Sequence, residues 1–368
     1  MPAPVHAAHT AMSVAVGSSR LATLVLLLAL GLVVGCSGGS GEASSPPGAD
    51  TSPSCDGPRT ATSEVRLEPV VDRAEPQLPV TVTDASGQSV TVDDASRILA
   101  LDTYGTLGTT VFALGLGDHL VGRDVSTGLA QLADLPVVTH NGHELNAEAI
   151  LELDPTVVLT DDSIGPLEVQ LQLQASGIPV VFMDGQRRAD LVAPQITAVA
   201  EALGVPDEGA QLVERVRTDV TAAQSQVERW RADAGNPTLR MVFLYLRGNA
   251  GVYYWFGEGS GADDLIEAIG GLDVASESGL TGYKPVNAEG LVRTEPDLYL
   301  MMTDGLESVG GVDGLLEVPG VADTEAGFDG CVVDMADSQI LSFGPQYPAT
   351  LRALGAAVYG AAGEPADR

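Results

Sequence analysis

Tyr245 and Arg247 stand two residues apart in the apolar run Leu239 to Leu246, which reads as a strand. Residues i and i+2 of a strand share a face, so the phenol and the guanidinium are neighbours. A free phenol titrates at about 10, and a nearby cation or hydrogen bond favours its ionised form. Phenolate is a hard, anionic donor suited to ferric iron, and tyrosine is a known axial ligand of haem. The competing reading is a structural tyrosine beside a surface arginine.

Histidine is scarce. His6 and His9 lie at the start of the chain and His119 follows Gly117-Asp118 in a polar turn. His140 and His143 sit in VTHNGHELN, which leaves a strand and enters a capped helix, the place where open α/β sheets bind ligands. Neutral imidazole donates well to iron. The alternatives are loop histidines without a ligand, or a two-histidine divalent-metal site drawing on Glu144 and Asp124, for which no compact motif is present. Aromatic residues are only 4% of the chain, yet Phe243, Tyr245, Tyr253, Tyr254, Trp255 and Phe256 crowd one probable hairpin. Such a cluster offers either a flat apolar wall for a large flat ligand such as haem, with Tyr254 and Trp255 as contacts, or a core-packing hairpin. No Gly-x-Ser-x-Gly elbow, Walker loop or dinucleotide fingerprint occurs, and no carboxylate pair stands out as acid and base. Gly257 to Gly261 is glycine-rich and precedes a helix, so its amides could hold an anion, a propionate sooner than a phosphate, or the glycines simply make a flexible loop.

These residues belong to a chain of 368 residues with net charge −32, from 50 acidic and 18 basic side chains, and Lys284 is the only lysine. That balance excludes nucleic acid as a partner and electrostatic docking on anionic lipid. With 45% hydrophobic residues the chain is not disordered as a whole. Leu21 to Val34 is a run of 14 apolar or small residues behind Arg20. It is too short to span a bilayer, which takes about 20, and reads as a secretory signal over 1–35, with Met12 an alternative start. Val33-Val34-Gly35-Cys36 resembles a bacterial lipobox, with Cys36 as the lipidated residue. A Gly/Ser/Pro-rich tether follows, within 36–76. Cys55 and Cys331 then remain as a candidate disulfide in an exported chain.

The body predicts parallel βαβ units. A hairpin at Val80 to Val92 precedes strands at Arg97–Leu101, Thr156–Thr160 and Ile178–Met183. Helices at Thr106–Gly115, Asn146–Leu153, Leu167–Ser176 and Ala189–Leu203 alternate with them. Asp207 to Ala234 is one long amphipathic helix stopped by Gly235-Asn236-Pro237. It separates an N-terminal lobe, 77–206, from a C-terminal lobe, 236–368, and itself occupies 207–235. The halves echo each other: Asn146-Ala147-Glu148 with Asp154-Pro155 recurs as Asn287-Ala288-Glu289 with Glu295-Pro296. The fold class is α/β, two Rossmann-like lobes joined by one helix with a cleft between them.

Lipobox, two lobes, connecting helix and paired Asn-Ala-Glu starts resemble the solute-binding lipoproteins that feed ABC importers for cobalamin, ferric siderophores and haem. RILALDTYGTLGTTVFALGLGDHLVGRD, NGHELNAEAILELDPTVVLTDDSIGP and YLRGNAGVYYWFGEGSGADDLIEAIGG are similar to the haem-binding branch of high-GC Gram-positive bacteria. The resemblance implies a lipid-anchored, extracytoplasmic protein that delivers haem to a permease and its ATPase and is not an enzyme. It implies Tyr245 as an axial ligand assisted by Arg247, and a histidine of the N-terminal lobe as the other, with NGHELN favouring His143 over His140. It further implies Glu148 and Glu289 as docking points for arginines of the permease. A ferric-siderophore or cobalamin protein of the same fold, an exported α/β enzyme and a structural envelope lipoprotein are the alternatives.

Overall fold

The computed structural model describes residues 55, 57–63, 66–140 and 142–360. The signal segment, Cys36 and most of the tether lie outside the described residues.

Three parallel strands, Ile98–Leu101, Val157–Thr160 and Val180–Phe182, form the N-terminal lobe's sheet in that order. Both faces are covered. Ile98, Ala100, Val157, Leu159 and Val181 enter one core, while Leu99, Leu101, Val158 and Val180 enter a second. Burial on both faces explains why these segments read as unbroken apolar runs. The hairpin Val80–Thr83 with Ser89–Val92 pairs as its sequence implies.

The C-terminal lobe is larger. Its main path runs Arg59–Ala61, Val332–Met335, Leu298–Met302, Arg240–Arg247, Val252–Phe256 and Tyr283–Pro285, with Leu272–Asp273 pairing beside Arg240–Arg247. The first four strands are parallel, and Val252–Phe256 runs antiparallel to both of its neighbours. The tether expected over 36–76 therefore ends sooner: Arg59–Ala61 adds a strand to the sheet, a role its three residues do not announce by pattern. Cys55 and Cys331 are disulfide-bonded across a separation of 276 residues. Closing so long a loop restricts the unfolded chain, so reduction should cost about 2–5 kcal/mol and lower Tm, as a melt with and without a phosphine reductant will read.

The internal echo extends to atoms. Asn146 accepts a hydrogen bond from the Ala149 amide and Asn287 from the Gly290 amide, each capping its helix. Arg97 donates to the carbonyls of Leu153 and Asp154 at the far end of the first helix. Arg240 does the same to Thr294 and Glu295 at the end of the second. Asp154 and Glu295 both adopt positive φ, 45° and 43°. Each lobe thus clamps its Asn-Ala-Glu helix at both ends.

The helix expected from Thr106 to Gly115 runs regularly only to Val111, then widens over Phe112–Leu116, with Gly115 at φ 87°. The reason is tertiary: the Val70 and Ala74 amides donate to the Ala113 and Gly115 carbonyls, replacing bonds the helix would make. Between the lobes lies Pro206–Asp233, 28 residues and about 42 Å of helix, begun by Pro206 with Asp207 and Glu208 in its first turn. Its buried face includes Leu212, Val216 and Val227. The C-terminal helix Tyr347–Tyr359 packs on it so closely that a Cβ at Gly355 would collide with Val227. A stiff rod packed along both lobes permits little hinge closure. Small-angle scattering should give nearly the same radius of gyration with and without ligand, and a large change would contradict this.

Candidate functional site

A cavity of about 1020 Å³ opens between the lobes, walled by Thr103, Tyr104, Ser126 and His143 on one side and by Tyr245, Arg247, Tyr254, Phe256 and Tyr283 on the other. On the N-terminal side Thr103 and Tyr104 lie in the loop that follows the parallel strand Ile98–Leu101, where such sheets bind ligands, and His143 comes from an antiparallel hairpin. The C-terminal side is a hairpin face.

That face obeys strand alternation. Tyr245 pairs with Tyr254 and Phe243 with Phe256 across the antiparallel ladder, so these rings share one side. Tyr245 stacks on Phe256 at 5.7 Å between centroids, and Tyr283 meets Tyr254 edge-on at 5.7 Å and Phe256 at 5.8 Å. Trp255 is a correction to the expected contacts. It faces the opposite side, is 6% exposed, and packs against Gly290 of the helix Ala288–Thr294. Alternation from Tyr254 selects Phe256 instead, a signal already present in the sequence. Tyr283 comes from a distant strand and carries no such signal.

Arg247 lies over the Tyr245 ring with its guanidinium carbon 4.5 Å from the centroid. It also donates to Asp337 at 2.6 Å and approaches the Met302 sulfur at 3.5 Å. The cation next to Tyr245 is therefore shared with a carboxylate, whose own pKa burial holds above the ordinary range despite Arg247. The Tyr245 hydroxyl makes no hydrogen bond among the described residues, which leaves it free to meet a ligand.

His143 lies in the hairpin turn between Thr139–His140 and Glu144–Leu145. Its Nδ1 lies 3.4 Å from the Ser126 hydroxyl. Burial, followed by the Arg247 charge, depresses its pKa, which favours the neutral ring with a lone pair available. His140 does not line the cavity. Its Nε2 lies 3.4 Å from Glu144 Oε2 across the hairpin, on an exposed face, so the structure separates it from the other expected ligands. The divalent-metal alternative gains nothing, since no group of three or more His, Cys, Asp or Glu able to hold a metal occurs among the described residues. The Gly259 and Gly261 amides are occupied by Asp263, so that loop is not an open anion cradle. Glu148 and Glu289 sit exposed in the first turns of the two clamped helices.

Below the N-terminal wall is a buried network that sequence reading missed. Arg187 donates to Asp102 at 2.8 Å and to Asp161 at 2.7 Å, and Asp124, fully buried beside them, accepts from the Asp102 amide at 3.1 Å. Burial first, and the Asp102 charge second, push the Asp124 carboxyl up to about 7. An unfolded aspartate titrates at about 3.9, so the folded state holds a proton the unfolded state has released. The stability contributed by this proton is fully present below about pH 4 and is lost as pH rises toward 7, by at most about 1.4 kcal/mol per unit from this group. Melting curves from pH 4 to 7 should show that slope, and Asp124→Asn should flatten it whatever it does to the absolute Tm.

Comparison with known proteins agrees with this architecture. The crystal structure of heme binding protein HmuT superposes with a TM-score of 0.78 at 44% identity, covering 83% of this chain and 98% of that one. Variants of HmuT with an arginine, a histidine or a tyrosine replaced by alanine superpose equally well, and the substituted tyrosine and arginine are two positions apart. The periplasmic heme-binding protein RhuT from Roseiflexus sp. RS-1, in apo form, gives 0.64 at 34% identity over 72% of this chain and 98% of that one. An uncharacterized ABC transporter substrate-binding lipoprotein of Bacillus subtilis (strain 168), YvrC, is 27% identical over 234 residues, 62% of this chain and 71% of that protein. These neighbours are binding proteins, and none of the described helices is long and apolar enough to cross a membrane. With residues 103–338 also matching the family described as Periplasmic binding protein, the chain belongs to that family.

Proposed function

We propose that the protein binds haem in the cavity between its lobes and delivers it to an ABC importer, with His143 and Tyr245 as the axial ligands. One observation carries this reading. A histidine from one lobe and a tyrosine with an arginine over its ring from the other face a single large cavity with an aromatic wall. A porphyrin needs flat apolar contact, and its ferric iron needs a hard anionic donor on one side and a nitrogen donor on the other. The HmuT structures support the assignment, because the residue types substituted there are those found here and the Tyr–Arg spacing is the same.

The protein captures its ligand and does no chemistry on it. Export and lipidation at Cys36 would hold it on the outer face of the cell membrane, touching the bilayer only through that anchor. Glu148 and Glu289, one per lobe, would dock the two permease subunits, and the ATPase would power transfer. Titration with haemin tests the reading directly. A Soret band that saturates at one equivalent or a small whole number supports it, and the absence of any band overturns it.

A further inference from the structure

Arg187 is only 5% exposed, and it joins the C-terminal ends of all three strands of the N-terminal sheet. It follows Val180–Phe182, and its two partners come directly after the others: Asp102 after Ile98–Leu101 and Asp161 after Val157–Thr160. Its guanidinium carbon lies 4.6 Å from the centre of the Tyr104 ring, which is part of the cavity wall. Asp102 does more than pair with it. Its carboxylate accepts the amides of Tyr104, Thr106 and Leu107, at 3.3, 3.1 and 3.0 Å, and so shapes the turn that presents Tyr104. The Asp102 amide donates to Asp124, whose other oxygen accepts the amide and hydroxyl of Thr127 at 2.6 and 2.9 Å. That turn carries Ser126, the hydrogen-bond neighbour of His143.

We propose that Arg187 is a positioning residue for the ligand site: it holds the Tyr104 ring against the cavity and, through Asp102 and Asp124, fixes Ser126 and hence His143 for coordination. The proposal rests on the haem reading above. A planar guanidinium suits the task because it can bridge two carboxylates and lie flat on a ring at once, which an ammonium cannot. A network that served only stability would lower Tm without selecting one side of the iron.

The test compares haemin complexes of the wild type with Arg187→Gln, Arg187→Lys, Ser126→Ala and the Arg187→Gln/Ser126→Ala double variant. Each is first shown to be folded by circular dichroism. Arg187→Gln should move the spectrum from six-coordinate toward the five-coordinate form of His143→Ala, and added imidazole should restore it. Transfer of haem to apomyoglobin should speed up about tenfold, which corresponds to about 1.4 kcal/mol. Ser126→Ala should shift both readouts the same way, and the double variant should match Arg187→Gln alone, since the two sites act along one path. Should Arg187→Gln fail to fold, Arg187→Lys carries the test through transfer: its charge still satisfies both carboxylates while the flat contact with Tyr104 is lost, so haem should leave faster with little change in coordination. An unchanged spectrum and transfer rate in the folded Arg187 variant, or purely additive effects in the double variant, would overturn the proposal alone. A wild type with no Soret band would overturn it together with the haem reading.

Discussion

Tyr245→Ala should abolish most of the haemin Soret shift and raise Kd by at least about a hundredfold, equivalent to roughly 2.8 kcal/mol. The size follows from what the residue supplies. Among the described residues it is the phenol of the hairpin face that has an arginine over its ring and no hydrogen bond on its hydroxyl, a hard donor that can ionise. Removing it also takes one plate from the stack with Phe256, 5.7 Å away. His143→Ala should leave a five-coordinate, tyrosine-bound complex with a smaller loss, about tenfold, because the porphyrin keeps its apolar wall. Arg247→Ala should weaken the tyrosine–iron bond while freeing Asp337 to repel the incoming phenolate. His140→Ala should bind as wild type, being turned toward Glu144. Unchanged spectra in both Tyr245→Ala and His143→Ala would sink the axial assignment.

The second large effect should appear in cells rather than in the cuvette. Glu148→Arg combined with Glu289→Arg should leave haemin binding intact and reduce uptake to background. Both carboxylates are exposed in the first turn of an Asn-capped helix, where the helix dipole alone would favour them. Local stability therefore gives each a purely structural role as the competing explanation. What argues for docking is the duplication: cap, clamp and carboxylate recur together in the two lobes. Two anionic points at matched places suit a dimeric partner with basic patches, and a strongly acidic chain would steer the encounter in a salt-dependent way. Normal uptake by the double variant would mean that the carboxylates serve only their helices.

Much of this is legible in the amino-acid sequence. Local rules suffice for Asn146 and Asn287 as caps, for the helix that begins at Pro206, and for Tyr245 and Arg247 sharing a face. Each depends on spacing within a few residues. The place of Trp255 is legible too, since the same alternation puts Tyr254 and Phe256 on one side of the hairpin and Trp255, expected among the ligand contacts, on the other. Arg59–Ala61 could not be read as a strand, since three residues carry no period and its partner lies more than 270 positions away. The same holds for Arg187, Asp102, Asp124 and Asp161, whose meeting depends on how three strands end side by side. Isolated acidic residues in a chain with 50 of them give no hint of which will be buried.

The inward turn of Trp255 has a practical side. The protein has two tryptophans, Trp230 on the connecting helix and Trp255 behind the aromatic wall. A porphyrin in the cavity absorbs where indole emits, so it would drain the excited state of the nearer ring by dipolar energy transfer without touching it. Trp255, flanked in sequence by two wall residues, becomes an optical reporter insulated from the bound molecule. Its emission would follow loading in real time, and replacing Trp230 with phenylalanine would isolate that signal while sparing the pocket.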